Sequence, residues 1–173
     1  IKWFKPSDPR TLKAYLSEKL EEVTELLPVL EKEFESNKLS SNTSIYRGLS
    51  GIKSLINLIL EEKKENCVFG SENQLDQFMP AFSAKFKKQL EKKGIPTRNI
   101  VREGRAARET KLRQVRFIPL KTESPVVTNV FGDKIGIIIW SDPPEAILID
   151  NPTAANAYRE YFDFMWRHAK PNK

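Results

Sequence analysis

Few residues in this chain of 173 have side chains suited to chemistry. His168 is the only histidine and Cys67 the only cysteine, too few for a zinc site, which draws on a cluster of such ligands. A Ser-His-Asp relay would rest on His168 alone, and that residue falls near the end of a helix-patterned segment, where a solvated or dipole-facing imidazole is the expected state. Cys67 sits in the apolar stretch Cys67-Val68-Phe69, where a buried structural thiol is expected before a nucleophile. Asp142, Glu145 and Asp150 could serve as paired carboxylates or hold a divalent cation, but they bracket Pro143-Pro144 and read first as turn residues. Gly48-Leu-Ser-Gly51-Ile-Lys53 has the glycines and lysine of a phosphate cradle without the spacing of GxGxxG or a P-loop. Two roles stay open for it: a turn former, or a crevice at the carboxyl ends of strands where backbone N–H groups meet an anion. In the second role Arg47, Gly48, Ser50, Gly51 and Ser71 are the expected contacts to a small-molecule effector, with Arg47 binding the anion. No metal and no cofactor is expected.

The elements that would position these residues follow from periodicity. Thr43 to Arg47 reads as a short β-branched and aromatic strand. Ile52, Leu55, Ile56, Ile59 and Leu60 then recur at helical spacing, and Asn66 to Phe69 reads as a second strand, which makes a βαβ unit. A long helix is expected over Gln74 to Lys93, with Phe78, Phe82, Phe86 and Leu90 as its apolar stripe, and Gly94-Ile-Pro ends it. Strands are expected at Thr97 to Arg102, Leu112 to Ile118, Val126 to Phe131, Ile135 to Trp140 and Ala146 to Ile149. Gly104 to Thr110 reads as a loop, and Gly132-Asp133 as a hairpin turn. Asp150 or Asn151 caps a last helix that opens at Pro152 and carries Tyr158, Tyr161, Phe162, Met165 and Trp166 as a core-facing stripe.

Residues 1–42 read as a separate unit. Ser7 or Asp8 can cap a helix with Pro9 in its first turn. Leu16, Leu20, Val23, Leu27, Leu30 and Phe34 then recur in an alternation of four and three, the a/d seam of a coiled coil. Acidic residues crowd the other faces, and Pro28 predicts a kink. A helix so patterned needs a partner: either the same domain or a second copy, and a homodimeric coil is the expectation. The polar stretch Ser36 to Thr43 links it to an α/β domain over residues 43–173.

Charge is unevenly spread. The formal net charge is +6, yet Ala81 to Arg116 alone holds twelve basic residues against three acidic ones. Such a block could meet nucleic acid or an anionic ligand. It reads first as a solvated helix face and a basic loop, because no aromatic residues interleave the loop as a stacking platform would require. With 39% hydrophobic residues the composition is that of a globular protein. No run reaches the roughly 20 apolar residues that span a bilayer. Ile1-Lys2-Trp3 offers neither an initiator Met nor a signal h-region, so a portion of an intracellular, cytoplasmic protein is expected, without a membrane partner.

One family accounts for the order of these features. The Asp8-Pro9 pair and leucine seam, Ile45-Tyr-Arg-Gly-Leu-Ser-Gly-Ile, Val68-Phe-Gly-Ser, Ile95-Pro-Thr-Arg, Arg116-Phe-Ile-Pro, Asn129-Val-Phe-Gly-Asp-Lys and the aromatic terminal helix together resemble the TrmB-type archaeal transcriptional regulators over nearly the whole chain. The resemblance implies a coiled-coil dimerisation helix followed by an effector domain similar in fold to phospholipase D-like nucleases. It also implies that DNA is contacted by a winged-helix domain that this sequence does not contain. Phospholipase D-like catalysts carry a His-x-Lys-x4-Asp pattern. With Asp133 set on its Asp, the His position falls on Val126, which has no nucleophile, and the Lys position on Thr128, which brings no positive charge to the phosphate. The expectation is therefore a non-enzymatic regulator. A phospholipase D-like nuclease or phosphodiesterase, and a nucleic-acid-binding module using residues 85–116, are the alternatives.

Overall fold

The computed structural model describes residues 8–36 and 43–171. Ser7, the Phe34 side chain and the expected linker residues 37–42 lie outside the described residues. Two compact units are found, Ile1–Ser41 and Asn42–Lys173.

The first unit holds one helix, α1, over Arg10–Ser36, with Pro28 inside it. Asp8 closes its entry: Oδ1 accepts from the Arg10 backbone N–H at 2.9 Å, and the Asp8 carbonyl accepts from Thr11 N–H at 2.9 Å. Leu16, Leu20, Val23, Leu27 and Leu30 are all exposed, by 44% to 67%. Leu26 and Val29 are exposed as well. So long an apolar stripe open to water is a surface in want of a partner.

The second unit is one eight-stranded mixed sheet in the order β1-β7-β6-β5-β2-β3-β4-β8. In chain order its strands are β1 (Thr43–Arg47), β2 (Asn66–Phe69), β3 (Thr97–Arg102), β4 (Arg113–Ile118), β5 (Val126–Phe131), β6 (Lys134–Ile139), β7 (Glu145–Asp150) and β8 (Lys170–Pro171). β2, β3 and β4 pair in parallel, and every other pairing is antiparallel. Helix α2 (Gly48–Glu62) joins β1 to β2. Those two strands run the same way but are not neighbours, because the β5-β6-β7 meander is laid between them.

Helices cover both faces. From α2, Ile52, Leu55, Ile56 and Ile59 bury against Val127, Phe131, Ile138 and Ala146 on one face. On the other, Phe162 of α5 (Pro152–His168) packs with Cys67, Ile100 and Val130. Burying each Val, Leu, Ile or Phe side chain among these contributes about 1.5–3 kcal/mol. Asn151 caps α5, its Oδ1 accepting from Ala154 N–H at 3.0 Å, with Pro152 in the first turn.

The expected long helix over Gln74 to Lys93 is two. A short α3 (Gln74–Phe78) stops at Met79, whose backbone leaves the helical region at φ −142°, ψ 55°, and α4 (Pro80–Lys92) starts afresh. Pro80 has no N–H to give a preceding turn and disfavours helical geometry in the residue before it. The break also separates the predicted stripe. Phe82, Phe86 and Leu90 pack on the core, while Phe78 is 58% exposed and stacks on Trp140 at a centroid distance of 5.3 Å.

Candidate functional site

Alternation along the strands decides which polar groups go inward. On β2, Val68 packs on the α2 side and Cys67 on the α5 side, so Asn66 shares the α2 side with Val68. Register then places Thr97 and Asn99 of β3 beside Asn66 and Val68, Arg113 of β4 beside Thr97, and Asn129 of β5 beside Val68. Asn66, Thr97, Asn99 and Asn129 are each 8% exposed or less. A strip of buried amides and a hydroxyl on one sheet face is unusual, since such groups are costly to bury without partners.

The strip lies beneath α4 and lines a cavity of about 460 Å³. That volume falls within the roughly 300–1,000 Å³ of small-molecule sites. Ile59, Phe86, Leu90 and Trp140 supply apolar wall, Asp76 and Ser83 a polar corner, and Arg105, Arg108 and Arg113 come from the β3–β4 connection and the start of β4. Asp76 accepts from Ser83 Oγ at 2.7 Å and from Lys87 Nζ at 2.5 Å. Burial pushes its carboxyl up, but those two bonds and the charges of Lys87 and Arg113 outweigh this and hold it below the usual carboxylate value. Burial pulls the guanidinium groups of Arg105 and Arg113 down from their ordinary value, yet both remain cations. Arg105 donates to the Ser71 carbonyl and to Asn73 Oδ1, fastening the β3–β4 loop to the segment after β2. With its amide oriented to accept, Asn99 takes Arg113 Nε at 2.6 Å and a terminal nitrogen at 3.2 Å.

Three buried side-chain atoms have no hydrogen-bond partner among the described residues: Asn66 Oδ1, Arg105 Nε and Trp140 Nε1. All three belong to residues that line this cavity. Buried polar atoms are nearly always paired in folded proteins, so three unpaired ones on residues that line a single cavity are unusual.

Of the residues expected from the sequence to bind an effector, Ser71 lines the cavity and Arg47, Gly48, Ser50 and Gly51 do not. Those four stand together at the β1–α2 junction. The Arg47 side chain is 78% exposed and lies 3.3 Å from the Glu145 carboxylate. Gly48 takes φ +69° and its N–H donates to the Pro144 carbonyl at 2.7 Å. A Cβ on Gly51 would lie 2.9 Å from the Cβ of Tyr46, so close packing explains that glycine. The Ser50 carbonyl accepts from Ser54 Oγ at 3.2 Å. The other groups that could do chemistry lie away from the cavity. Cys67 is on the opposite sheet face, His168 Nδ1 lies 2.8 Å from the Phe164 carbonyl on α5, and Asp133 and Asp142 are exposed in turns. Among the described residues no group of three or more His, Cys, Asp or Glu is placed to hold a metal ion. Val127 and Asn129 line the cavity, so by alternation Val126 and Thr128 face the other way.

Part of the basic block is folded inward. Arg98 pairs with Glu65 at 2.8 Å and Asp163 at 2.7 Å and lies over the Phe162 and Trp166 rings. Arg102 reaches Glu72 and Glu123, and Arg116 donates to the Trp166 carbonyl at 2.6 Å. Lys85, Lys87, Lys88, Lys92, Lys93, Arg108 and Lys111 remain exposed.

No protein-family model matches the sequence, and no curated protein matches it. Solved structures do. The archaeal chromatin protein TrmBL2, whose structure shows a novel mode of DNA binding, superposes with a TM-score of 0.54 at 13% identity, covering 97% of this chain and 72% of that one. NucT from Helicobacter pylori superposes with a TM-score of 0.53 at 12% identity, covering 75% of this chain and 98% of its own. At such identities the shared property is the fold: a helix followed by a phospholipase D-like mixed sheet in this chain, as the sequence led us to expect. No helix among the described residues is long and apolar enough to cross a membrane.

Proposed function

We propose that this chain is the effector-binding and dimerisation portion of a DNA-binding transcriptional regulator of the TrmB type, cytoplasmic and without enzymatic activity. DNA would be contacted by a winged-helix domain, as the resemblance implies, and not by the residues described above. The observation that carries the reading is the construction of β5. Where phospholipase D-like chemistry needs histidine and lysine, this strand has Val126 and Thr128, and on its opposite face it has Asn129 turned into a polar cavity. The scaffold keeps a place to bind a small molecule and has no nucleophile at the place for hydrolysis. Of the five effector contacts expected from the sequence, Ser71 is the one retained here.

The exposed seam of α1 supplies the second half of the proposal. Leu16, Leu20, Val23, Leu27 and Leu30 repeat as a and d positions do, and a second copy of the same helix would bury them. Sedimentation of the chain at micromolar concentration tests this: wild type is expected as a dimer and Leu20→Lys as a monomer. Two identical monomers would remove the dimer. Retardation of DNA by this chain alone, steeply weakened by salt, would instead favour direct nucleic-acid binding through the lysines of α4.

A further inference from the structure

We propose that the cavity beneath α4 binds a small organic anion that also carries a hydroxyl group, of the phosphate monoester or hydroxy acid kind. The inference rests on the effector-domain reading for its regulatory meaning, whereas the site itself rests on geometry. Four cationic side chains line the cavity, Lys87, Arg105, Arg108 and Arg113, against two carboxylates, Asp76 and Glu91. Asp76 is already taken by Lys87 and Ser83, and Glu91 is exposed. Arg105 and Arg113, both pulled down by burial, make no ion pair among the described residues. Asp76 acts on both through space and Glu72 on Arg105, but neither cation has a carboxylate in direct contact, and an anion in the cavity would supply one.

The unpartnered atoms set the rest of the ligand. Arg105 Nε and Trp140 Nε1 are donors and call for acceptor oxygens, as a phosphate or carboxylate group presents. Asn66 Oδ1 is an acceptor on a residue only 2% exposed, and it calls for a donor, which a hydroxyl on the ligand supplies. Phe86 and Leu90 of α4 add apolar wall that suits a short carbon chain. Arg105 also ties the β3–β4 loop to Ser71 and Asn73, so an anion on its Nε would hold that loop in place.

Calorimetric titration of the full chain with glycerol 3-phosphate, 3-hydroxybutyrate, inorganic phosphate and glycerol tests the proposal, with Trp140 fluorescence as a second readout. At least one of the two organic anions is expected to bind one per chain, and glycerol is not. Which of them binds distinguishes the phosphate ester from the hydroxy acid. Arg105→Gln and Asn66→Leu should each weaken binding about tenfold or more. Should either fail to fold by circular dichroism, Trp140→Phe removes only the indole donor and should still weaken binding several-fold, while Lys88→Gln, on exposed α4 surface, should leave it unchanged. No anion binding up to about 10 mM, binding of glycerol as tight as that of its phosphate, or affinity indifferent to Arg105, Asn66 and Trp140 would each overturn the site. Slow hydrolysis of a bound ester would leave the site standing and remove the non-enzymatic reading, so the two fail separately.

Discussion

Asn66 and Asn129 meet across β2 and β5, the Asn66 Nδ2 donating to Asn129 Oδ1 at 3.3 Å, and the buried Asn66 Oδ1 has no partner among the described residues. The long bond stabilises little and the lone acceptor costs something, so the pair is poor structural chemistry. Asn66→Leu removes that lone acceptor but also takes the donor from the buried Asn129 Oδ1, so it should cost the ligand-free protein about 1–3 kcal/mol. Chemical denaturation checks it, and a loss beyond that range would show that the asparagine is structural after all.

Asp76 gives the acid limb of stability. Its folded pKa lies below the ordinary 3.8, the effect of Lys87, Ser83 and Arg113 prevailing over burial. A carboxyl so lowered contributes stability that is present above pH 3.8 and disappears as pH falls below it. Asp76→Asn should flatten that limb. At neutral pH it should cost about 1 kcal/mol, the pair being partly screened by solvent, and it should tighten anion binding by removing a negative charge from the cavity.

Cys67 behaves in the opposite sense. Burial pushes its thiol up to about 12, against the pull of Arg98. A thiol raised in the folded state lends stability that is whole below pH 9 and lost as pH climbs from 9 towards 12. Native protein should resist iodoacetamide at pH 8 and react once unfolded. Fast labelling of the folded chain would contradict the placement of Cys67 under α5.

Gly51 and Gly48 separate two reasons for glycine. Gly51→Ala forces a Cβ to 2.9 Å from that of Tyr46 and 3.0 Å from its carbonyl carbon, and should cost about 1–3 kcal/mol. Gly48→Ala meets nothing within 4 Å but must hold φ +69°, which should cost about 1–2 kcal/mol. Thermal unfolding of both variants checks this. If neither moves, the β1–α2 junction is looser than described.

What the sequence made legible was the pattern of elements and not their arrangement. Val126 to Phe131 and Thr97 to Arg102 were expected with the bounds they have, because β-branched runs flanked by Gly and Pro are local signals. The insertion of three strands between β1 and β2 is a long-range matter that no local run encodes. Pro80 was a legible signal that the phenylalanine stripe overrode, although proline at that position ends α3. The cavity was hidden for a different reason. Arg105 and Arg113 looked like members of a solvated basic block, and only the register of β4 turns Arg113 inward. Three asparagines within strands, Asn66, Asn99 and Asn129, were the available clue, since asparagine is depleted there unless something holds it.

The most direct test of the central claim, a phospholipase D-like fold that binds without cutting, is hydrolysis of single-stranded DNA and bis(p-nitrophenyl) phosphate by the purified chain. The expected result is no turnover above background, with or without added divalent cations. Turnover that disappears with chelator, or with Asp133→Asn or Asp142→Asn, would contradict it.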